Sequence, residues 1–150
     1  MKKKNLMKSL TALALSVLMV LSLAACGAKP SDGGKDEDKD GYTVAIIKQM
    51  DHASLDEIAD AIAARLDAIA QEQNVSIRYT ITSGQGDQSV LKQLADQAVA
   101  DQVDAIIPIA TTAAQVSAVA AEDSRTPVVY AAISDPDTAK LTGIDYVTGT

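Results

Sequence analysis

The chain contains no phenylalanine, no tryptophan, one cysteine and one histidine. Each scarcity closes a class of structure or chemistry. Without Phe and Trp, a hydrophobic core must be built from aliphatic side chains. The one cysteine, Cys26, has no partner for an intrachain disulfide. With His52 as the only histidine, too few nitrogen and sulfur ligands remain for a first-row metal site, so no metal and no cofactor is expected. Basic residues are short too: 13 Lys and Arg face 20 Asp and Glu, for a net charge of −7. Nucleic-acid binding needs a positive footprint, which this chain lacks. Nucleophilic hydrolysis is unsupported, because no Gly-x-Ser-x-Gly occurs and no serine has an evident histidine partner. The chain is therefore not expected to be an enzyme.

The basic charge that exists is unevenly placed. Lys2, Lys3, Lys4 and Lys8 precede an apolar run from Leu10 to Leu23, and Ala24 and Ala25 lead from it into Cys26. A positive start, a short apolar stretch and small residues at the cut are the parts of a secretory signal. Leu23-Ala24-Ala25-Cys26 adds the pattern of lipidation on the cysteine sulfur. The alternative is an uncleaved anchor helix with Cys26 a bystander, but a stable span needs about 20 apolar residues. Residues 1–25 are expected to be a lipoprotein signal peptide. The mature chain should then be lipid-anchored at Cys26 on the extracytoplasmic face of the cell membrane. Residues 26–150 hold 9 basic and 20 acidic residues, net −11, so anionic lipid repels them and the lipid must do the anchoring. One acyl chain binds only marginally, and a diacylglyceryl group supplies the second.

Residues 27–41 carry no large apolar side chain, so 26–41 reads as lipidated cysteine plus flexible acidic tether. Residues 42–150 are long enough for one domain with its own core. There the pattern alternates. Strands are predicted at 43–47, 75–82, 103–109 and 126–133, with a weak fifth element at 141–147. The first helix is predicted to open at Ser54, in a capping box with Glu57, and to bury Leu55, Ile58, Ala59, Ile62, Leu66 and Ile69. Asp87 should cap the second helix, which carries Leu91, Leu94, Ala95, Ala98 and Val99. Thr111 or Thr112 should cap the third, with Val116, Val119 and Ala120 as its apolar stripe.

Strand–helix alternation implies an α/β fold, a doubly wound parallel sheet. The expected strand order is 2-1-3-4-5, which puts the alternating second strand (Ile77, Tyr79, Ile81) at an edge. Ligands of such sheets bind beyond the carboxyl ends of the strands. That rule selects the loops 49–52, 83–87, 110–112 and 134–136. A helix start at Thr111, Thr112 and Ala113 offers hydroxyls and N–H groups to a carboxylate; the plainer alternative is a cap only. Asp135, after Ser134, could accept from an ammonium group, or could initiate an Asx turn before Pro136. His52 could reach a ligand, or could be a polar residue ahead of a helix. The run Gly84-Gln85-Gly86-Asp87-Gln88-Ser89 reads as a turn plus cap and not a dinucleotide fingerprint, since Ser89 replaces the third glycine.

These loops carry a resemblance. Gln49-Met50-Asp51-His52-Ala53-Ser54-Leu55-Asp56, Gly86-Asp87-Gln88-Ser89, Val103 to Thr111, and Ala132-Ile133-Ser134-Asp135-Pro136 occur in register over residues 43–150. In this the chain resembles ABC-transporter substrate-binding lipoproteins of the tryptophan/tyrosine type. The resemblance implies one lobe of a type I periplasmic-binding fold, and a solute-binding role in an ABC importer for an amino acid or amino-acid-like ligand. The implied partners are the permease, its ATPase and the membrane reached through Cys26. The implied ligand-binding residues are Thr111, Thr112, Ala113, Asp135, His52 and Ser134. Members have a second lobe, so 42–150 is expected to represent the N-terminal lobe alone, with the second lobe absent. The alternative is a surface ligand sensor or interaction lipoprotein reusing such a lobe.

Overall fold

The first strand, β1 (Gly41–Lys48), carries Val44, Ala45, Ile46 and Ile47 in unbroken sequence, and all four are buried. A strand apolar on both sides must be covered on both faces. The computed structural model, which describes residues 41–150, shows what covers it. The expected signal peptide, Cys26 and the tether up to residue 40 lie outside the described residues; Gly41 opens β1.

After β1 the chain forms α1 (Ala53–Gln73), β2 (Ser76–Ser83), α2 (Gln88–Ala100), β3 (Ala105–Ile109), α3 (Thr111–Ala120), β4 (Val128–Tyr130) and β5 (Val147–Gly149). All five strands pair in parallel in the order β2-β1-β3-β4-β5, the order the sequence predicts. Val44 and Ile46 of β1 meet Ala59 and Ile109, with Leu55, Ile58, Ile62 and Leu66 of α1 packed alongside. Ala45 and Ile47 point the other way, to Leu91, Ala95 and Ala98 of α2, Ile106 of β3 and Ala113 of α3. The two-residue period of the strand thus feeds two separate cores. Burying each of Ile46, Ile47, Leu91 and Ile106 contributes about 1.5–3 kcal/mol. Tyr130 is buried in a third cluster with Ala114, Ala118, Ile133, Ala139 and Leu141.

The edge position of β2 explains its alternation: Ile77 and Tyr79 pack against the α1 side, while Ser76, Arg78 and Thr80 are exposed. Three expectations need correction. In α3 the fully buried residues are Ala113, Ala114, Ser117 and Ala118; Val116 and Ala120 of the expected stripe pack against the core, but Val119 is 70% exposed. Small residues let this helix lie close against the sheet, so its inner face is marked by small size and not by bulk. The ladder pairing of β3 and β4 is shorter than the apolar runs 103–109 and 126–133, with Ile109 and Ala131 joined only by an isolated bridge. The fifth strand is Val147–Gly149, because Leu141 is drawn into the third cluster and its N–H bonds the Pro136 carbonyl, in a turn. No described helix is long and apolar enough to cross a membrane.

Candidate functional site

Parallel pairing sends the loops after β1, β2, β3 and β4 out at one end of the sheet. In the first, His52 has extended backbone and its Nδ1 accepts from the Ser54 N–H at 3.2 Å. His52 is therefore the cap of α1. The expected capping box of Ser54 and Glu57 does not form, because α1 has already begun at Ala53, which puts Ser54 inside the first turn and Glu57 beyond it.

The same loop is held by charge. Lys48 Nζ pairs with Asp56, and with Asp51 at 3.2 Å. The bond to Asp56, more than that to Asp51, raises the Lys48 ammonium above its ordinary range. Gln85 donates to Asp51 at 2.6 Å, and this bond leads the causes, with Ser83 and Lys48 behind it, that hold the Asp51 carboxyl below the usual range. The Gly84 N–H bonds the Lys48 carbonyl and the Gly86 N–H bonds the Gln49 carbonyl, both at 2.9 Å. Gly84 has no alternative: an added Cβ would stand 2.3 Å from Leu91 Cδ2, inside the core. Asp87 Oδ1 accepts from Ser89 N–H at 2.6 Å and Val90 N–H at 3.2 Å, so the glycine-rich stretch is a turn and cap as read from sequence.

The third loop departs from expectation. Neither Thr111 nor Thr112 caps α3, because both already lie within it. The cap position belongs to Ala110, at φ 78 and ψ 163, which has no acceptor on its side chain. Gln49 acts instead, its Oε1 accepting from the Thr112 N–H at 3.0 Å. Among the described residues the hydroxyls of Thr111 and Thr112 enter no hydrogen bond, and the N–H groups of Thr111 and Ala113 meet no acceptor. Thr111 is exposed, Thr112 half-buried, and the Ala113 side chain is buried against the sheet. Hydroxyls and N–H groups at a helix start are suited to an anion.

In the fourth loop Asp135 turns on its own neighbours. Its Oδ1 accepts from the Thr138 N–H at 2.9 Å and its Oδ2 from the Thr138 hydroxyl at 2.7 Å. The hydroxyl, then the N–H, hold this carboxyl below the usual range. The Asx-turn alternative is thus the observed conformation, and Asp135 is exposed. Ser134, also exposed, lines an open groove of about 700 Å³ with Ile58, Ile62, Arg65, Ala131 and Thr150.

The structure ties Thr112 to the first loop through Gln49, and sets Ala110 against the end of β4, its N–H bonding the Ala131 carbonyl at 3.1 Å. No hydrogen bond among the described residues joins Ser134 or Asp135 to His52, Thr111 or Thr112. Gln49 is the residue that sequence reasoning passed over. Its partner lies 63 residues away, so no local signal marks it. No group of three or more His, Cys, Asp or Glu that could hold a metal ion occurs among the described residues.

Residues 43–147 match the family described as ABC transporter substrate binding protein. Among solved structures, the chain is similar to an ABC domain from Streptococcus pneumonia in complex with L-Trp, at 32% identity and a TM-score of 0.63. That match covers 73% of this chain and 38% of the other. A conserved domain protein from Vibrio cholerae gives 25% identity and a TM-score of 0.63 over 72% of this chain and 38% of that one. A substrate binding protein with adhesive properties from Clostridium difficile, in its ligand-free open form, shares the fold at 24% identity and a TM-score of 0.61, covering 69% of this chain and 34% of its own. The chain thus spans well under half the length of these solved structures. No curated protein matches.

Proposed function

We propose that this chain, which belongs to the ABC transporter substrate binding protein family, captures a small amino-acid-like solute outside the cell for an ABC importer. Its partners are a membrane permease and the ATPase that drives it, and it carries no catalytic chemistry of its own. Residues 1–25 direct export and are removed, Cys26 bears the lipid, and residues 26–41 tether the lobe formed by 42–150. The tether keeps the captured solute at high local concentration beside the permease.

In this reading the ligand carboxylate sits at the start of α3. The Thr111 and Thr112 hydroxyls and the Ala113 N–H donate to it, and Asp135 faces the ammonium group. His52 and Ser134 line the same cleft. One observation carries the assignment: the first turn of α3 holds two hydroxyls and two N–H groups without partners, at the end of the sheet where four loops converge. The L-Trp complex of a relative 32% identical supports an amino acid as the ligand class.

The test replaces both hydroxyls. Thr111→Val with Thr112→Val removes donors that support no other group, so stability should change by no more than about 0.5 kcal/mol. Affinity for the amino acid should fall roughly tenfold or more, measured by calorimetry on the full chain with L-tryptophan as first probe. Unchanged affinity in the double variant would sink the carboxylate assignment.

A further inference from the structure

Gln49 touches three segments distant in sequence. Its N–H donates to the Ile109 carbonyl at 3.1 Å, its carbonyl accepts from the Gly86 N–H at 2.9 Å, and its Oε1 accepts from the Thr112 N–H at 3.0 Å. A backbone N–H can only donate, so the side-chain atom facing it is the oxygen and not the amide nitrogen. Oε1 and Nε2 share one carbon. Holding Oε1 on Thr112 therefore holds Nε2 beside the same turn of α3. Nε2 carries two N–H donors and meets no acceptor among the described residues. The side chain is half-buried, so these donors are partly withdrawn from water.

We propose that Gln49 is a specificity-determining residue of the ligand site: with its oxygen fixed by Thr112, its amide N–H donates to the ligand carboxylate. This rests on the reading of the α3 start as the carboxylate site. A carboxylate is acceptor-only and can serve several donors at once. A carboxamide has one acceptor oxygen, and its own N–H₂ would be turned against the donors of Gln49, Thr111 and Ala113. A site built from convergent donors rejects such an analogue strongly. The site selects free acids over their amides, and does so without a cation.

Gln49→Glu separates the two halves of the side chain. It keeps an oxygen for the Thr112 N–H, removes both N–H donors and sets a negative charge beside the ligand. The probes are the twenty proteinogenic L-amino acids, beginning with L-tryptophan, and the carboxamide of the tightest binder. They are titrated by calorimetry into the full chain in detergent, with thermal unfolding in parallel. The expected result is a melting temperature near wild type, a loss of free-acid affinity of about 30-fold or more, and a carboxamide affinity altered by about threefold at most. Equal free-acid affinity in wild type and variant overturns the proposal, and so does an equal loss for acid and amide. If Gln49→Glu melts more than about ten degrees lower, Gln49→Met replaces it, being uncharged and close in volume, and must cut the preference for acid over amide by about tenfold, an unchanged preference overturning the proposal. A wild type that binds none of the amino acids overturns the reading of the site itself, and the role of Gln49 with it.

Discussion

The loops after β1, β2 and β3 are tied to one another by side chains, whereas the Asp135 carboxylate in the loop after β4 bonds only within its own loop, which is anchored instead by Gln115 donating to the Ala139 carbonyl at 3.0 Å and by packing on α3. Gln85 reaches Asp51 across 34 residues, and Thr112 reaches Gln49 across 63. Asp135 reaches Thr138 across three residues, and Asp137 reaches Thr142 across five. The first arrangement exists only once the sheet has formed, and it fixes three segments relative to each other. The carboxylate bonds of Asp135 and Asp137 need only their own stretch of chain and fix no other loop. One side of the proposed cleft is therefore organised by the fold, and the carboxylates of the other by turn chemistry.

The largest effect should come from breaking the tied side at its base. Gly84→Ala places a Cβ 2.3 Å from Leu91 Cδ2, on a side chain that is fully buried and has nowhere to move. Denaturant unfolding should show a loss of about 2 kcal/mol. A smaller effect is expected from Gln49→Met, which leaves the Thr112 N–H without its acceptor. Stability should fall by about 1 kcal/mol, and hydrogen exchange should quicken at Thr112 while Thr138 is unchanged. Loss of protection at both amides would show that the two sides are coupled.

The smallest effect should come from the loop after β4. The Asp135 carboxyl is held below its ordinary range, so its contribution is present above that range and is lost as pH falls through the folded value. Wild-type stability should decline below about pH 4. Asp135→Asn keeps an oxygen for the turn and removes the titration, so it should flatten part of that decline. Urea midpoints at pH 7, 4 and 3 would measure it. Asp51, whose carboxyl is also lowered, by Gln85 first, keeps its own share of the decline, which the substitution leaves alone. If Asp135→Asn removed the whole acid decline, the network around Asp51 would contribute nothing.

Most of the fold was legible in the sequence. The unbroken apolar run of 44–47, the helical stripes of α1 and α2 and the Asp87 cap all depend on residues a few positions apart, and each appears where the pattern places it; the Asp135 turn is one of the two readings left open there. The strand order was legible too, because alternation in β2 marks an edge. What failed was of another kind. Val119 has the bulk of a core residue, yet it is exposed, because Ala114 and Ala118 face the third cluster and Ser117 is buried beside them. Ser54 and Thr112 have the chemistry of caps, yet His52 and Gln49 serve, because a cap is decided by where a helix starts and not by which residue is best suited to start it.

The sequence by itself determined the parallel α/β sheet, its order, and the four loops in which a ligand site could lie. The tertiary structure decided which donors in those loops are already engaged and which remain unpaired. The reason is distance along the chain. A period or a turn is a property of neighbours, and the sequence states it directly. The acceptor for Thr112 lies 63 residues earlier, and nothing identifies it until β1 and β3 lie side by side.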